Sequence, residues 1–230
     1  MDEWWSYRPS DLLMFSPRIY WRLFESINRE AWPAQPLLLG AGLGWLWLAR
    51  RNTAGLRTWR SAAVALSLCC FFVAWAFLWQ RFAPIQWVAS GYAVAFAVQG
   101  VGWLILATRL ATHATPHTSR QAWRRWVGLG LALWALLMHP MLALADGRPW
   151  QQAEFFGLAP DPTAIGSLAV LLLLNADNPR TQTLLRLLWP LPLTWCAMSA
   201  ATLATMGSWQ AAVPLTAAAL AVAAAWAGRR

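Results

Sequence analysis

Seven stretches of mostly apolar side chains, each near the length needed to cross a bilayer, follow one another along this chain with arginine-bearing gaps between them. A hydrocarbon core of roughly 30 Å takes about 20 helical residues at about 1.5 Å each. The runs fall near 33–49, 61–80, 84–108, 126–146, 156–174, 184–206 and 208–227. In 230 residues that are 59 % hydrophobic and 12 % charged, with mean hydropathy +0.41, this is more apolar side chain than one soluble core hides. The pattern predicts an all-α integral membrane protein of about seven transmembrane helices, with the lipid bilayer as solvent for most of the chain. The first run is short and glycine-rich. The junction "TMGSWQ" is so tight that the last two runs form an antiparallel hairpin, or one of them stops short of crossing.

The basic residues orient these runs. All 18 are arginine, so the formal net charge of +9 comes from groups that stay protonated, and with no lysine there is no Schiff-base chemistry. That removes a retinal linkage, which a seven-span chain would otherwise invite. From the N-terminal segment through each gap to the C-terminus the arginines number 4, 4, 1, 4, 1, 2, 0 and 2. Short cytoplasmic loops hold the positive excess, so the N-terminus is expected outside and the C-terminus in the cytoplasm. Eight of the nine acids then fall outside, all but Asp177. No basic stripe interleaved with aromatics is present, which argues against nucleic acid as a partner.

Residues 1–32 read as an N-terminal interfacial segment and 33–230 as the transmembrane bundle. In "SPRIYWRLFESINREAW", Ser16 suits an N-cap with Pro17 at the first helical position. Ile19, Leu23 and Ile27 recur at fourfold spacing beside Tyr20 and Phe24, and Glu25 and Arg29 stand four apart. The helix is expected to lie in the outer interface, as a lid on the bundle or a docking surface. The extreme N-terminus, "MDEWWSYRPSD", lacks the head, core and cleavage site of a secretory leader. Of 19 tryptophans, Trp4, Trp5, Trp21, Trp32, Trp79, Trp87, Trp123, Trp126, Trp150 and Trp209 fall near run ends, where indole favours the headgroup level. Trp75, Trp103, Trp134, Trp189 and Trp195 are deeper and read as helix-to-helix packing. Cys69, Cys70 and Cys196 lie inside apolar runs and read as buried reduced thiols. Gly40 and Gly44 form a GxxxG that permits close helix contact, within the chain or with another subunit.

Polar chemistry concentrates in one span, "MHPMLALADGRPWQQAEFFGLAPDPT" at 138–163. His139 lies about two turns inside the outer boundary and precedes Pro140, which bends the helix. Asp161 lies between Pro160 and Pro162 at the start of the fifth run. Ionisable groups at such depth are costly unless they pair or meet water, so His139 and Asp161 are the expected pair, with Asp146 and Glu154 at the rim. Two readings follow: a polar cavity open to the outer face, or a hydrogen-bonded plug fixing two bent helices. Met138, His139 and Met141 with Cys69, Cys70 and Cys196 are ligand types of copper(I), a soft-metal alternative. Elsewhere no HExxH, CxxC or GxSxG occurs. His113 and His117 fall in an arginine-bearing cytoplasmic loop and read as solvated. Trp189, Pro190 and Pro192 interrupt the sixth run as a hinge or kink. No cofactor is identified.

"FSPRIYWRLFESINREAWPAQ" at 15–35, "FGLAPDPTAIGSLAVLLLL" at 156–174 and "PLTWCAMSAA" at 192–201 resemble three landmarks of a bacterial multi-pass membrane family of unknown function, domain of unknown function number 6064. The first landmark is matched by Phe24, Asn28, Trp32, Pro33 and Gln35, with Ile27 where the family has tyrosine. The second is matched by Phe156, Gly157, Pro160, Pro162 and Thr163, with Asp161 where the family tends to carry cysteine. Phe77 and Leu78 stand where a tyrosine-histidine pair is expected, and His139 replaces a tyrosine. The resemblance covers nearly the whole chain and implies a divergent member in the bacterial inner membrane, without assigning an activity.

Three functions compete on these residues. The first is a non-enzymatic accessory or structural subunit of a larger inner-membrane assembly, with other membrane proteins or copies of itself as partners. Second is a small-solute, proton-coupled or soft-metal transporter using His139 and Asp161. Third is a membrane enzyme acting at the outer face with the same pair as base and orienter.

Overall fold

The computed structural model describes residues 13–51, 55–110, 122–175 and 178–227. His113, His117 and Asp177, with Trp4 and Trp5, lie outside the described residues. Among those described, proline and capping residues open most of the helices. Ser16 accepts a hydrogen bond from the Ile19 amide at 3.4 Å and Pro17 takes the first turn of α1, Pro17–Glu30. α2 is Ala34–Ala49, α3 Leu56–Phe82, α4 Ala89–Arg109, α5 Ala122–Ala145, α6 Pro160–Leu173, α7 Pro179–Thr205 and α8 Trp209–Ala227. No strand occurs among the described residues; Phe156 and Ala159 form an isolated bridge.

α3, α4, α5, α7 and α8 are long and apolar enough to cross a membrane. α2 and α6 are shorter, with 16 and 14 residues, or about 24 and 21 Å. The expected run 156–174 is thus only partly helical: Phe156 to Ala159 stay irregular, and α6 begins at Pro160. α6 needs no match to lipid thickness, because every one of its residues is buried, against α3, α5, α7 and α8. Its apolar character is that of a central helix wrapped on all sides.

Two helices depart from regular α geometry. α3 widens into a π segment over Val73–Phe82, and α5 over Trp134–Met138, just before His139 and Pro140. Proline has no N–H to give the carbonyl four residues back, and a widened turn accommodates its ring. α7 breaks at Leu188 and Trp189, ahead of Pro190. There the buried Gln99 of α4 donates from Nε2 to the Leu188 carbonyl at 2.9 Å, replacing a bond the helix lost.

Hydrogen bonds between helix ends sort the bundle into two layers. At one end Arg60 donates to the Leu110 carbonyl, Arg125 to the Arg50 carbonyl, and Arg124 to Asn175 and the Leu171 and Leu174 carbonyls. At the other, Glu30 meets Arg81, Asn28 meets the loop at 151–153, Trp209 meets Asp146 and Gln210 meets Arg148. These bonds tie one end each of α2, α3, α4, α5 and α6 into the first layer. Arg50, Arg60, Arg124 and Arg125 of the arginine-rich gaps thus share one layer, and the described acids share the other.

Several expected contacts come out differently. α1 packs on the bundle, but through Tyr20, Trp21, Phe24, Ile27 and Asn28; Ile19 is 46 % exposed. The larger aromatic rings, rather than the fourfold aliphatic stripe, decide which face is covered: Phe24 stacks on Phe77 with centroids 4.8 Å apart. Trp75 faces outward at 61 % exposure, whereas Trp103 and Trp195 are buried. Gly40 and Gly44 meet no other atom within 4 Å of where a Cβ would lie; Gly42 is the glycine packed within the chain, against Leu136. Cys69, Cys70 and Cys196 are free and buried.

Candidate functional site

The loop between α5 and α6 is built to be buried. Trp150–Gln152 forms a 3-10 turn, and the following irregular segment carries Ala153, Glu154, Phe155 and Leu158 inward. Irregular backbone away from water must find its hydrogen bonds inside the protein. Asn28 of α1 supplies two, donating from Nδ2 to the carbonyls of Gln151 at 2.8 Å and Ala153 at 2.7 Å. Gln35 in turn donates to the Asn28 carbonyl at 2.6 Å, so α1, α2 and the loop are locked together. Ala143, Ala153, Phe155 and Leu158 make a small apolar cluster over this junction.

The stretch "FGLAPDPT" explains itself locally. Gly157 adopts φ +82°, where a side chain is strained, and an added Cβ would lie 2.8 Å from the Cys69 sulfur. Phe156 packs its ring on Gly166, where an added Cβ would collide with the ring edge. Thr163 Oγ1 accepts from the Gly157 amide at 2.9 Å and donates to the Ala159 carbonyl at 2.7 Å, closing the turn into α6. Pro160 fills the first helical position, where no N–H is needed, and Asp161 falls in the first turn, where the helix dipole favours negative charge.

Three ionisable side chains meet under this loop. His139, Glu154 and Asp161 are 2 %, 5 % and 2 % exposed, and each brings a ligand-type atom within 4.8 Å of the other two. His139 Nε2 lies 3.6 Å from Glu154 Oε2, an ion-pair distance just beyond a hydrogen bond. Asp161 is held from α7: Trp195 Nε1 donates to Oδ1 at 2.7 Å and Ser199 Oγ donates to Oδ2 at 2.5 Å. Both nitrogens of His139 and Oε2 of Glu154 have no hydrogen-bond partner. Two full negative charges at up to 4.8 Å repel by roughly 3 kcal/mol or more at an effective dielectric near 20. The pair of carboxylates therefore calls for compensating positive charge.

Arg148 acts on Glu154 through space only and makes its hydrogen bonds elsewhere. Its guanidinium donates to Asp146 Oδ2 at 3.3 Å, the Gln152 carbonyl at 3.2 Å and Gln210 Oε1 at 3.1 Å, and lies 3.4 Å over the Trp21 ring. Burial lowers its pKa from the ordinary arginine value, while Glu154 and Asp146 pull it back up. Tyr20 closes the cluster from α1. Burial, then the charges of Asp161 and Glu154, push its phenol well above the usual range, so it stays protonated.

The sequence-predicted residues are thus partly regrouped. His139 and Asp161 share one cluster, and Glu154, expected at the rim, is inside it between them. Asp146 stays at the rim, bonded to Arg148 and to Trp209 Nε1 at 2.9 Å. The copper(I)-type set is not gathered: Met138 and Met141 are each 42 % exposed on the outward side of α5. Among the described residues, no group of three ligating His, Cys, Asp or Glu side chains includes Cys69, Cys70 or Cys196. Trp195, Ser199 and Tyr20 were not singled out as site residues. The first two are four apart in "WCAMS", a spacing that puts two donors on one helix face, and that was their signal.

A family model described as a family of unknown function, DUF6064, matches residues 17–226, which contain the whole cluster and its partners. No curated protein and no solved structure matches the chain.

Proposed function

The chain belongs to the family of unknown function DUF6064, and from that premise we propose that it is a non-enzymatic subunit of an inner-membrane assembly. It crosses the bilayer seven times with its N-terminus outside, and it docks on a partner helix through the outward face of α2. One observation carries this reading: Gly40 and Gly44 present a GxxxG stripe where, among the described residues, nothing lies within 4 Å of an added Cβ. Such a stripe lets a second helix approach backbone to backbone, where van der Waals contact replaces the hydrophobic effect that lipid cannot supply. The sealed polar cluster supports it too. With His139, Glu154 and Asp161 each at most 5 % exposed beneath a loop tied down by Asn28, the cluster braces the bundle rather than lining an open cavity.

Native extraction in mild detergent followed by cross-linking tests this. The expected result is a constant partner, another polypeptide or a second copy, that is lost when Gly40 and Gly44 are both changed to Leu while the fold is retained. A stable monomer in the native membrane, or undiminished association of the double variant, contradicts it.

The unpartnered nitrogens of His139 favour one second reading, proton-coupled transport through the bent α5 and α6. It requires uptake into liposomes that is abolished by His139→Ala; uptake by neither form removes it.

A further inference from the structure

His139, Glu154 and Asp161 come from three different places: the bend of α5, the buried loop and the first turn of α6. They converge on one point, and Arg148, which acts on Glu154 through space, makes its hydrogen bonds to Asp146, Gln152 and Gln210. From this convergence we propose that the three side chains bind one divalent first-row metal ion of the zinc(II) class, through Nε2 of His139 and one oxygen each of Glu154 and Asp161. The site goes beyond the partner-docking reading and does not depend on it.

Four features support the assignment. An imidazole nitrogen with two carboxylates is a borderline-to-hard donor set, which suits zinc(II), manganese(II), iron(II) or cobalt(II) and not copper(I). A 2+ ion offsets the two carboxylates in a region where unbalanced charge is costly. Ligand atoms about 2.0–2.2 Å from a tetrahedral ion stand about 3.3–3.5 Å apart. His139 Nε2 and Glu154 Oε2 are already 3.6 Å apart, and the third atom must close from at most 4.8 Å. Finally, the atoms that would bind are the ones left without partners, Nε2 of His139 and Oε2 of Glu154. Asp161, by contrast, has its carboxylate oriented by Trp195 and Ser199, each oxygen keeping a second lone pair. This is the outer-shell support that metal-bound carboxylates use.

The competing occupant is protons shared among the three side chains. The full-length protein in nanodiscs, stripped with chelator and titrated with cobalt(II), separates the two. We expect one cobalt(II) per chain with visible ligand-field absorption, displaced by zinc(II). Binding is lost in Glu154→Gln and in His139→Gln, and weakened about 10–100-fold in Trp195→Phe, which leaves the three ligands in place. Asp146→Asn binds as the parent does. The titration of the unaltered protein needs no variant to fold: absence of stoichiometric cobalt(II) and zinc(II) binding overturns the site, as does parent-like binding by a folded Glu154→Gln. Failure here leaves the association test on Gly40 and Gly44 unaffected.

Discussion

Gly157 ties the backbone path of the α5–α6 loop to the side chains beneath it. Its φ of +82° turns the chain so that Phe156 drops onto Gly166 while the Gly157 amide reaches Thr163, and a methyl group here meets the Cys69 sulfur at 2.8 Å. Strain and collision act together. Gly157→Ala is expected to destabilise the protein by more than about 1 kcal/mol, read as a lowered midpoint of thermal unfolding in detergent. Gly40→Ala, at a position with open space around it, leaves that midpoint unchanged or raises it. The two glycines look alike in sequence, and only the backbone conformation and neighbours separate them.

Among the helices, the break in α7 and the docking of α1 are where local chemistry holds packing in place. Gln99 offers its amide to the carbonyl freed at Leu188. Gln99→Leu strands that carbonyl in an apolar setting and is expected to cost about 1–3 kcal/mol, measured by unfolding in detergent. α1 is pinned to α3 by the contact of Glu30 with Arg81. The hydrogen bond and charge of Arg81 hold the Glu30 carboxyl below its ordinary pKa. A folded-state value lower than the unfolded one means stabilisation that is complete above the usual glutamate range and lost as pH falls through the folded value. The parent should therefore be more stable than Glu30→Gln at pH 7, with the difference shrinking as pH falls through the folded-state value of Glu30. A difference that persists in acid contradicts the ion pair as its source.

Helix positions were the most legible part of the sequence, because length and apolar composition fix them with little help from context. Ser16 and Pro17 marked a helix start that the structure contains, whereas the run expected from 156 becomes helical only at Pro160. Where Glu154 would sit was not legible. Its neighbours "WQQAEFF" look like an ordinary polar loop, and nothing local shows that Asn28, 125 residues from Ala153 in sequence, supplies the bonds that let this loop be buried. His139 and Asp161 were legible as charges deep in apolar runs that have to be answered, but the ion-pair partner of His139 is Glu154. The answer also involved Trp195 and Ser199, partners that only the packing of α7 on α6 brings near.

For the bundle as a unit, the arginine-rich ends and the acidic ends form opposite layers, with the three-residue cluster under the acidic one. An arginine-rich layer in the cytoplasm puts α1, the loop and the cluster at the outer face, and this orientation is part of the proposed function. Single-cysteine labelling of intact cells with a membrane-impermeant maleimide reads it directly. Cys69, Cys70 and Cys196 are buried and give little background. Arg29→Cys, in the layer of α1, is expected to label from outside, and Arg51→Cys, at the far end of α2, to label only after the cells are opened. Labelling of Arg51→Cys in intact cells with protection of Arg29→Cys contradicts the orientation, and labelling of both from the same side contradicts the crossing of α2.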